Sequence, residues 1–261
     1  MDEINVKKTV LEYYAEIARG DVQGCCADST CCTPADSLIQ ITGTVDDDTS
    51  VASADLGLGC GMPTQFARIN PGDTVLDLGS GAGVDVLRAA RLVGESGKVI
   101  GVDMTPEMIA RAQANAANGG FTNVEFRQGE IEALPVEDSS IDVVLSNCVI
   151  NLVPDKRQAF REIYRVLRPG GRLSISDMVT YGTMPDEIRR DLTLWAGCIA
   201  GAIDREEYLQ IIRDSGFDEI NIHQETQSNP FESGERTTGE RNDQPALFGI
   251  ASITLGAVKL P

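Results

Sequence analysis

Positive charge and long apolar runs are both scarce in this sequence. Among 261 residues, 22 are Lys or Arg and 40 are Asp or Glu, so the formal net charge is −18. This balance argues against nucleic acid or an anionic membrane as a partner. No apolar run reaches the ~18 residues that a membrane span requires. The first residues, Met1–Asn5, lack the charged and then apolar pattern of a secretory leader, so we expect a cytoplasmic protein.

Histidine is almost missing as well. His223 is the only one, and a lone histidine in the C-terminal region is more often structural or exposed than catalytic. The sequence singles out no other general base. Apolar residues make up 42% of the chain, which is enough to bury the core of a globular enzyme.

A glycine-rich segment, Asp77–Gly83, stands between a predicted strand and a predicted helix. The strand is Thr74–Leu76, and the helix begins at Val84. This order is the context in which a glycine loop binds a nucleotide, because glycines let a ligand approach the main chain closely. A second predicted strand, Lys98–Asp103, ends in an acid 20 residues after Gly83. At about that spacing a carboxylate meets the ribose hydroxyls of an adenosine ligand.

Strand and helix signals alternate through residues 71–180, which predicts a parallel sheet with helices on both faces. Before this core, residues 1–70 contain one amphipathic helix, Ile4–Ala18, followed by cysteine-bearing loops. After it, residues 181–261 form a C-terminal α+β region that we expect to cover the substrate. Its predicted elements are helices at Asp186–Cys198 and Arg205–Ser215 and strands near 220–223 and 247–255.

Seven cysteines fall into a cluster of four and a scattered group of three. Clustered cysteines in a cytoplasmic protein favour metal binding or redox work over structural disulfides. Their doubled pairs differ from the Cys-x2-Cys spacing of zinc sites, so metal binding remains only an alternative. A scattered cysteine is usually a small buried hydrophobe, and composition alone leaves that interpretation open. The cluster is Cys25, Cys26, Cys31 and Cys32, and the scattered residues are Cys60, Cys148 and Cys198.

The glycine loop, with its Asp-x-Gly-x-Gly-x-Gly pattern, resembles the Rossmann-like class of S-adenosylmethionine-dependent methyltransferases. The segment Leu167–Gly171, before the last core strand, is also common in that class. The resemblance implies an α/β core with an open, mostly parallel twisted sheet, with S-adenosylmethionine as cofactor and S-adenosylhomocysteine as product. The cofactor-binding residues implied are Asp77, Gly79, Gly81, Gly83, Asp103, Met104, Glu130, Ile131 and Asn147.

Three cysteine motifs resemble those of the arsenite S-adenosylmethionine methyltransferases. They are Leu58–Pro63, Ser146–Leu152 and Trp195–Ala202, and the likeness extends from about Tyr13 to Tyr208. The resemblance implies that three catalytic thiolates bind trivalent arsenic as substrate and that methylation serves detoxification. The thiolates are those of Cys60, Cys148 and Cys198.

The same resemblance implies a redox relay in which an N-terminal cysteine takes part in catalysis. We assign that role to Cys32, with Cys25, Cys26 and Cys31 able to pass oxidation onward. A thiol reductant of the thioredoxin or glutathione type is then the expected partner and co-substrate.

The residue types agree with arsenic chemistry, because trivalent arsenic is soft and thiolates are soft ligands. Its lone pair is itself the nucleophile, so positioning replaces a general base. Two alternatives stay open. A carbon- or oxygen-methyltransferase for a quinone-like metabolite explains the glycine loop and Asp103 but leaves the three cysteines as coincidence. A thiol-rich metalloid sensor would keep the fold only to bind the cofactor.

Overall fold

The computed structural model describes residues 3–21, 49–228 and 248–261. Helix α1, Glu3–Arg19, confirms the amphipathic helix predicted near the N-terminus. Val6, Val10 and Ile17 recur at helical spacing and are buried, so they form its packing face.

The segments predicted as strands in the core do form strands. In the part of the chain that the structure describes, seven strands make one sheet. They are β1 (Thr74–Leu78), β2 (Lys98–Asp103), β3 (Val124–Gln128), β4 (Ile141–Asn147), β5 (Leu167–Gly182), β6 (Asp218–Ser228) and β7 (Phe248–Val258). Their order is β3-β2-β1-β4-β5-β7-β6. Strands β1 to β5 are parallel, and β7 runs antiparallel between β5 and β6, which confirms the mostly parallel α/β sheet.

Helices connect the strands and cover the sheet. They are α2 (Thr49–Ala52), α3 (Pro63–Phe66), α4 (Val84–Val93), α5 (Pro106–Asn118), α6 (Lys156–Val166), α7 (Asp186–Arg189), α8 (Leu192–Ala196) and α9 (Arg205–Asp214). Helix α5 begins at Pro106 as predicted, although Thr105 makes no side-chain capping bond. Helix α1 packs against α5 and α8. None of the helices in the described ranges has the length and apolar character to cross a bilayer.

The prediction of a single helix over Asp186–Cys198 is wrong. The chain forms α7 and then α8, and the side chain of Asp191 accepts hydrogen bonds from the backbone N–H groups of Thr193 and Leu194. An aspartate that caps a new helix start interrupts the preceding one. Helix α8 ends at Ala196, so Cys198 lies in the turn after it rather than in a helix.

The C-terminal strands extend the core sheet. Strand β5 runs to Gly182, past the expected boundary at residue 180, and β7 pairs with it along its length. Most core strands are buried because helices cover both faces. Strand β1 lies between β2 and β4, so the strand order reverses there. Ligands of open α/β sheets bind outside the carboxyl ends of the strands at such a point.

Candidate active site

The register of β1 with its neighbours places the functional segments side by side. Leu78 pairs with Val102 on β2 and with Ser146 on β4. The residues that follow the three strand ends are therefore adjacent, although they are far apart in sequence. One cleft at this edge is lined by the glycine loop, Asp103, Asn147 and Cys148.

The glycine loop has the predicted strand–turn–helix context. Gly79, Gly81 and Gly83 have φ values of 60°, 51° and 96°, in the left-handed region that favours glycine. A Cβ added to Gly79 would lie 2.4 Å from a methyl carbon of Val149, whereas one on Gly81 would meet no described atom within 4 Å. The main chain at Gly81 is therefore open to the cleft.

Asp103 ties the end of β2 to this loop. Its two carboxylate oxygens accept hydrogen bonds from the backbone N–H of Gly81, at 2.9 Å, and of Thr105, at 2.8 Å. Burial raises the pKa of Asp103, and these hydrogen bonds oppose that rise. Each oxygen has a second lone pair, so the carboxylate can still accept from ribose hydroxyls.

A second acid, Asp85, shares the cleft and was not predicted from the sequence. Asp77 and Asp85 are both buried. Burial raises the pKa of Asp77 well above its ordinary value, and the charges of Asp85 and Asp103 raise it further. Burial also raises the pKa of Asp85, while hydrogen bonds from Asn147 and Arg88 lower it. Asp103 is half-buried beside them, and a positively charged ligand in the cleft would relieve the repulsion between the three acids.

One wall of the cleft, next to Asp103, contains Met104, Glu130 and Ile131, the residues implied to border an adenine. Helix α1 reaches this wall, because Lys7 Nζ lies 2.6 Å from a Glu130 carboxylate oxygen and 3.0 Å from one of Glu132. Nothing in the sequence indicates where α1 packs, so its contribution to the cleft was missed.

The three scattered cysteines converge in the structure. Cys60 and Cys148 form a disulfide with their Cα atoms 5.8 Å apart. Cys198 is buried beside it and donates a hydrogen bond from Sγ to the Cys148 carbonyl oxygen, at 3.3 Å. Three thiolates, as the resemblance implies, are therefore available only after this disulfide is reduced. Their role as arsenic ligands stays a prediction.

Asn147 connects the segment of Cys60 to the cofactor cleft. Its side-chain oxygen accepts from the backbone N–H of Cys60 at 3.1 Å, and its amide nitrogen donates to the Gly61 carbonyl at 3.0 Å. The same nitrogen donates to Asp85 at 2.9 Å. The side-chain amide is thus engaged in holding the Cys60 segment, and the predicted contact of Asn147 with the cofactor is untested.

Tyr14 of α1 is a further missed residue. It lines the cleft, and its hydroxyl donates to the Ala196 carbonyl oxygen at 3.3 Å and lies 3.9 Å from Cys198 Sγ. The only signal for it was its place on the apolar side of α1.

The relay cysteines Cys25, Cys26, Cys31 and Cys32 lie outside the described residues. Within the described ranges, no group of three or more His, Cys, Asp or Glu side chains is placed to hold a metal ion. His223 is exposed on β6 and stacks on Phe66, with ring centroids 4.8 Å apart, as expected for a structural histidine.

Comparisons with known proteins agree with this geometry. A family model for a methyltransferase domain matches residues 69–216. An arsenite methyltransferase of Halobacterium salinarum is 46% identical over 256 residues, covering 92% of this chain and 65% of the relative. An arsenite methyltransferase of Homo sapiens is 43% identical over 152 residues, covering 55% of this chain and 40% of the relative. The chain spans only 40 to 65% of the length of these relatives.

A solved structure is similar over most of its length. It is CrArsM, an arsenic (III) S-adenosylmethionine methyltransferase from Chlamydomonas reinhardtii. The match has a TM-score of 0.70 and 39% sequence identity, and it covers 83% of this chain and 72% of that one. Taken with the methyltransferase domain and the cysteines at its cleft, this likeness shows that the chain belongs to the arsenite methyltransferase family.

Proposed function

We propose that the chain transfers methyl groups from S-adenosylmethionine to trivalent arsenic bound by Cys60, Cys148 and Cys198. The position of Cys148 carries the proposal. It lines the cleft of the glycine loop and is also bonded to Cys60 and in contact with Cys198. A methyl donor and a thiol-bound acceptor can therefore meet in one cleft, and the product would be a methylated, detoxified arsenical.

The residues of the cleft fit this cofactor. The main chain at Gly81 is open, and a cation would relieve the repulsion between the buried acids Asp77 and Asp85 that raises the pKa of Asp77. When bound, S-adenosylmethionine supplies a methyl group on a positively charged sulfur. Asp103 would accept hydrogen bonds from the ribose hydroxyls. The adenine would be bordered by Met104, Glu130 and Ile131, which line the same cleft.

The three thiolates orient the substrate. Arsenic bound to three sulfurs has its lone pair on the remaining side, and holding it ~3–3.5 Å from the methyl carbon makes the attack effectively intramolecular. With the cofactor bound, the lone pair would form the arsenic–carbon bond as the sulfur–methyl bond breaks, and the electron pair of that bond would stay on the sulfur. Arsenic becomes formally pentavalent, so a two-electron reductant must follow before another round.

Reduction is needed at the protein as well. The Cys60–Cys148 disulfide must be opened by an attacking thiolate before three ligands exist. We assign this work to a thioredoxin- or glutathione-type thiol, relayed through Cys32 with Cys25, Cys26 and Cys31; family resemblance is the support for that relay. A reducing compartment favours such chemistry, which supports a cytoplasmic location.

The test is turnover by the reduced chain with arsenite, S-adenosylmethionine and a thiol, followed by mass spectrometry. We expect mono- or dimethylated arsenic and one S-adenosylhomocysteine for each methyl group transferred, and neither product when the cysteines are first alkylated. Methylation of a quinone-like metabolite but not of arsenite would favour the metabolite enzyme. Binding of both arsenite and cofactor without turnover would favour the sensor.

A further inference from the structure

Two segments that carry cysteines are joined across a buried seam, which we define as the contacts between Cys148–Val153 and Trp195–Gly201. Two hydrogen bonds in the seam come from side chains other than cysteine. Asn151 Nδ2 donates to the Cys198 carbonyl at 2.9 Å, and Trp195 Nε1 donates to the Leu152 carbonyl at 3.1 Å.

Both cysteines of the seam have a strained backbone. The φ values of Cys148 and Cys198 are 57° and 65°. A residue other than glycine is uncommon in this region, because its Cβ crowds the neighbouring peptide. Such a conformation persists only where the surroundings over-determine it, and it concentrates at functional sites.

Asn151 is the residue best placed to hold this conformation. It is fully buried, and its backbone N–H donates to an Asp177 carboxylate oxygen at 3.0 Å. Its carbonyl accepts from Lys156 Nζ at 3.1 Å. With both peptide groups fixed, the side-chain amide has a defined direction toward the Cys198 carbonyl.

Neighbouring features agree with this role. A Cβ on Gly201 would lie 2.0 Å from the Asn151 carbonyl oxygen, so only glycine allows this approach. Asn151 Oδ1 is buried and has no hydrogen-bond partner among the described residues. A buried polar atom without a partner is costly, so stability alone does not account for this side chain.

We propose that Asn151 is a positioning residue that fixes Cys198 relative to Cys148, so that both sulfurs can bind the same arsenic. The Cys198 N–H donates to the Trp195 carbonyl at 3.0 Å, and its carbonyl accepts from Asn151. With both flanking peptide groups held, the direction of the Cα–Cβ bond of Cys198 is set. The free protein then loses little freedom when it binds the substrate. The inference rests on the proposed arsenic chemistry.

The experiment compares Asn151→Ala with Trp195→Phe in the reduced, full chain. Each variant removes one hydrogen bond across the seam, but only Asn151→Ala removes the one to a cysteine. We expect arsenite affinity, measured by calorimetry, to fall at least about tenfold in Asn151→Ala and at most about threefold in Trp195→Phe. S-adenosylmethionine affinity should stay within about twofold in both. X-ray absorption should show fewer than three sulfurs on arsenic in Asn151→Ala.

Every other result contradicts either this inference or the proposed function. If the wild-type chain itself does not bind arsenite, the proposed function fails, and this inference with it. If wild type binds but Asn151→Ala binds equally well, only this inference is overturned. Equal losses in both variants, with three sulfurs retained, would make Asn151 merely structural. If Asn151→Ala does not fold, Asn151→Ser takes its place, and if neither folds, Asn151 serves the fold and the proposal is overturned.

Discussion

The glycine loop and two of the converged cysteines, Cys148 and Cys198, adopt the same unusual backbone conformation at very different energetic cost. Gly79 and Gly81 have φ values of 60° and 51°, and Cys148 and Cys198 have 57° and 65°. Glycine adopts this region freely, whereas a residue with a Cβ loses about 1–2 kcal/mol there. The cofactor half of the site is therefore relaxed, and the cysteine half is held against strain.

Different contacts hold the two halves of the site in place. The glycine loop is built from one strand–turn–helix unit with Asp103 hydrogen-bonded to its backbone. The cysteine half joins three distant segments, and it is held together by a hydrogen bond that Asn147 accepts from Cys60 and one that Asn151 donates to Cys198. Each such bond contributes only about 0.5–1.5 kcal/mol net, so several are needed to offset the strain. Substitutions in one half should thus leave the other half's ligand largely unaffected.

The sharpest separation is expected from the cysteines themselves. Cys148→Ser or Cys198→Ser should abolish arsenic methylation, because a hard hydroxyl replaces a soft ligand at the reacting atom. Cofactor affinity by calorimetry should stay within about twofold, since the glycine loop is intact. Full activity in either variant would contradict the three-thiolate site and favour the metabolite methyltransferase.

Asp177 accepts a hydrogen bond from the backbone of Asn151 and so supports the cysteine half of the site. Its contribution to stability should depend on pH. Burial raises its pKa to about 6 from an ordinary value of 3.8, although hydrogen bonds from Met178 and Tyr208 lower it. Between these values the folded chain holds a proton that the unfolded chain has released. The contribution of Asp177 to stability is therefore present below pH 3.8 and lost as the pH rises through 6.

Asp177→Asn should remove this dependence. Relative to the variant, the wild type should lose about 2–3 kcal/mol of unfolding free energy between pH 4 and pH 7. Urea denaturation at several pH values measures the difference in slope, and any constant effect of the substitution cancels. Parallel curves for the two proteins would show that Asp177 keeps its ordinary pKa.

In the cofactor half, Asp103→Ala should weaken S-adenosylmethionine binding by about 1.5–3 kcal/mol, as expected for lost hydrogen bonds to a charged group. Asp142→Ala is the matched control, because Asp142 also accepts from a backbone N–H, that of Thr74 at 2.8 Å, but at the start of β4. Asp142→Ala should lower the free energy of unfolding and leave the affinity for S-adenosylmethionine unchanged. Equal cofactor affinity in Asp103→Ala and wild type would mean that the ribose lies elsewhere.

These two halves were also unequally predictable from the sequence. The glycine loop, β2 and Asp103 are encoded in continuous segments, where strand pattern, turn residues and spacing give a strong local signal. The convergence of the cysteines came from family resemblance, since no periodicity brings residues 60, 148 and 198 together. Tyr14 and Asp85 were missed because the docking of α1 and the inward face of α4 depend on tertiary packing. The break before α8 is not predictable from the sequence, because Asp191 fits a continuous helical pattern as well as a cap.

Gly79 tests whether the two halves touch. Alanine at Gly79 or Gly81 meets the same backbone strain, but only at Gly79 does the new Cβ lie against Val149, the neighbour of Cys148. Such overpacking lowers the stability of the fold by about 1–3 kcal/mol. Gly79→Ala should therefore lower affinity for both cofactor and arsenite, and Gly81→Ala for cofactor alone. If the two variants bind arsenite equally, Val149 does not transmit the change to Cys148.

The smallest effect is expected at Tyr14, where α1 meets the cysteine half. As a thiol, Cys198 donates to the Cys148 carbonyl, and the Tyr14 hydroxyl donates to the Ala196 carbonyl. The thiolate of Cys198, the form that would bind arsenic, can only accept hydrogen bonds. Because a hydroxyl can rotate, Tyr14 can turn its proton toward Cys198 Sγ, 3.9 Å away.

Tyr14→Phe removes that donor and keeps the ring at the cleft. Arsenite affinity should fall by about 0.5–1.5 kcal/mol, roughly twofold to twelvefold, while S-adenosylmethionine affinity should not change. Tyr13→Phe is the matched control on the same helix, and its ring packs edge-on against that of Tyr14. Equal arsenite affinities in the two variants would show that α1 supports the cysteine half by packing alone. A loss confined to Tyr14→Phe would instead extend the cysteine half of the site to the N-terminal helix.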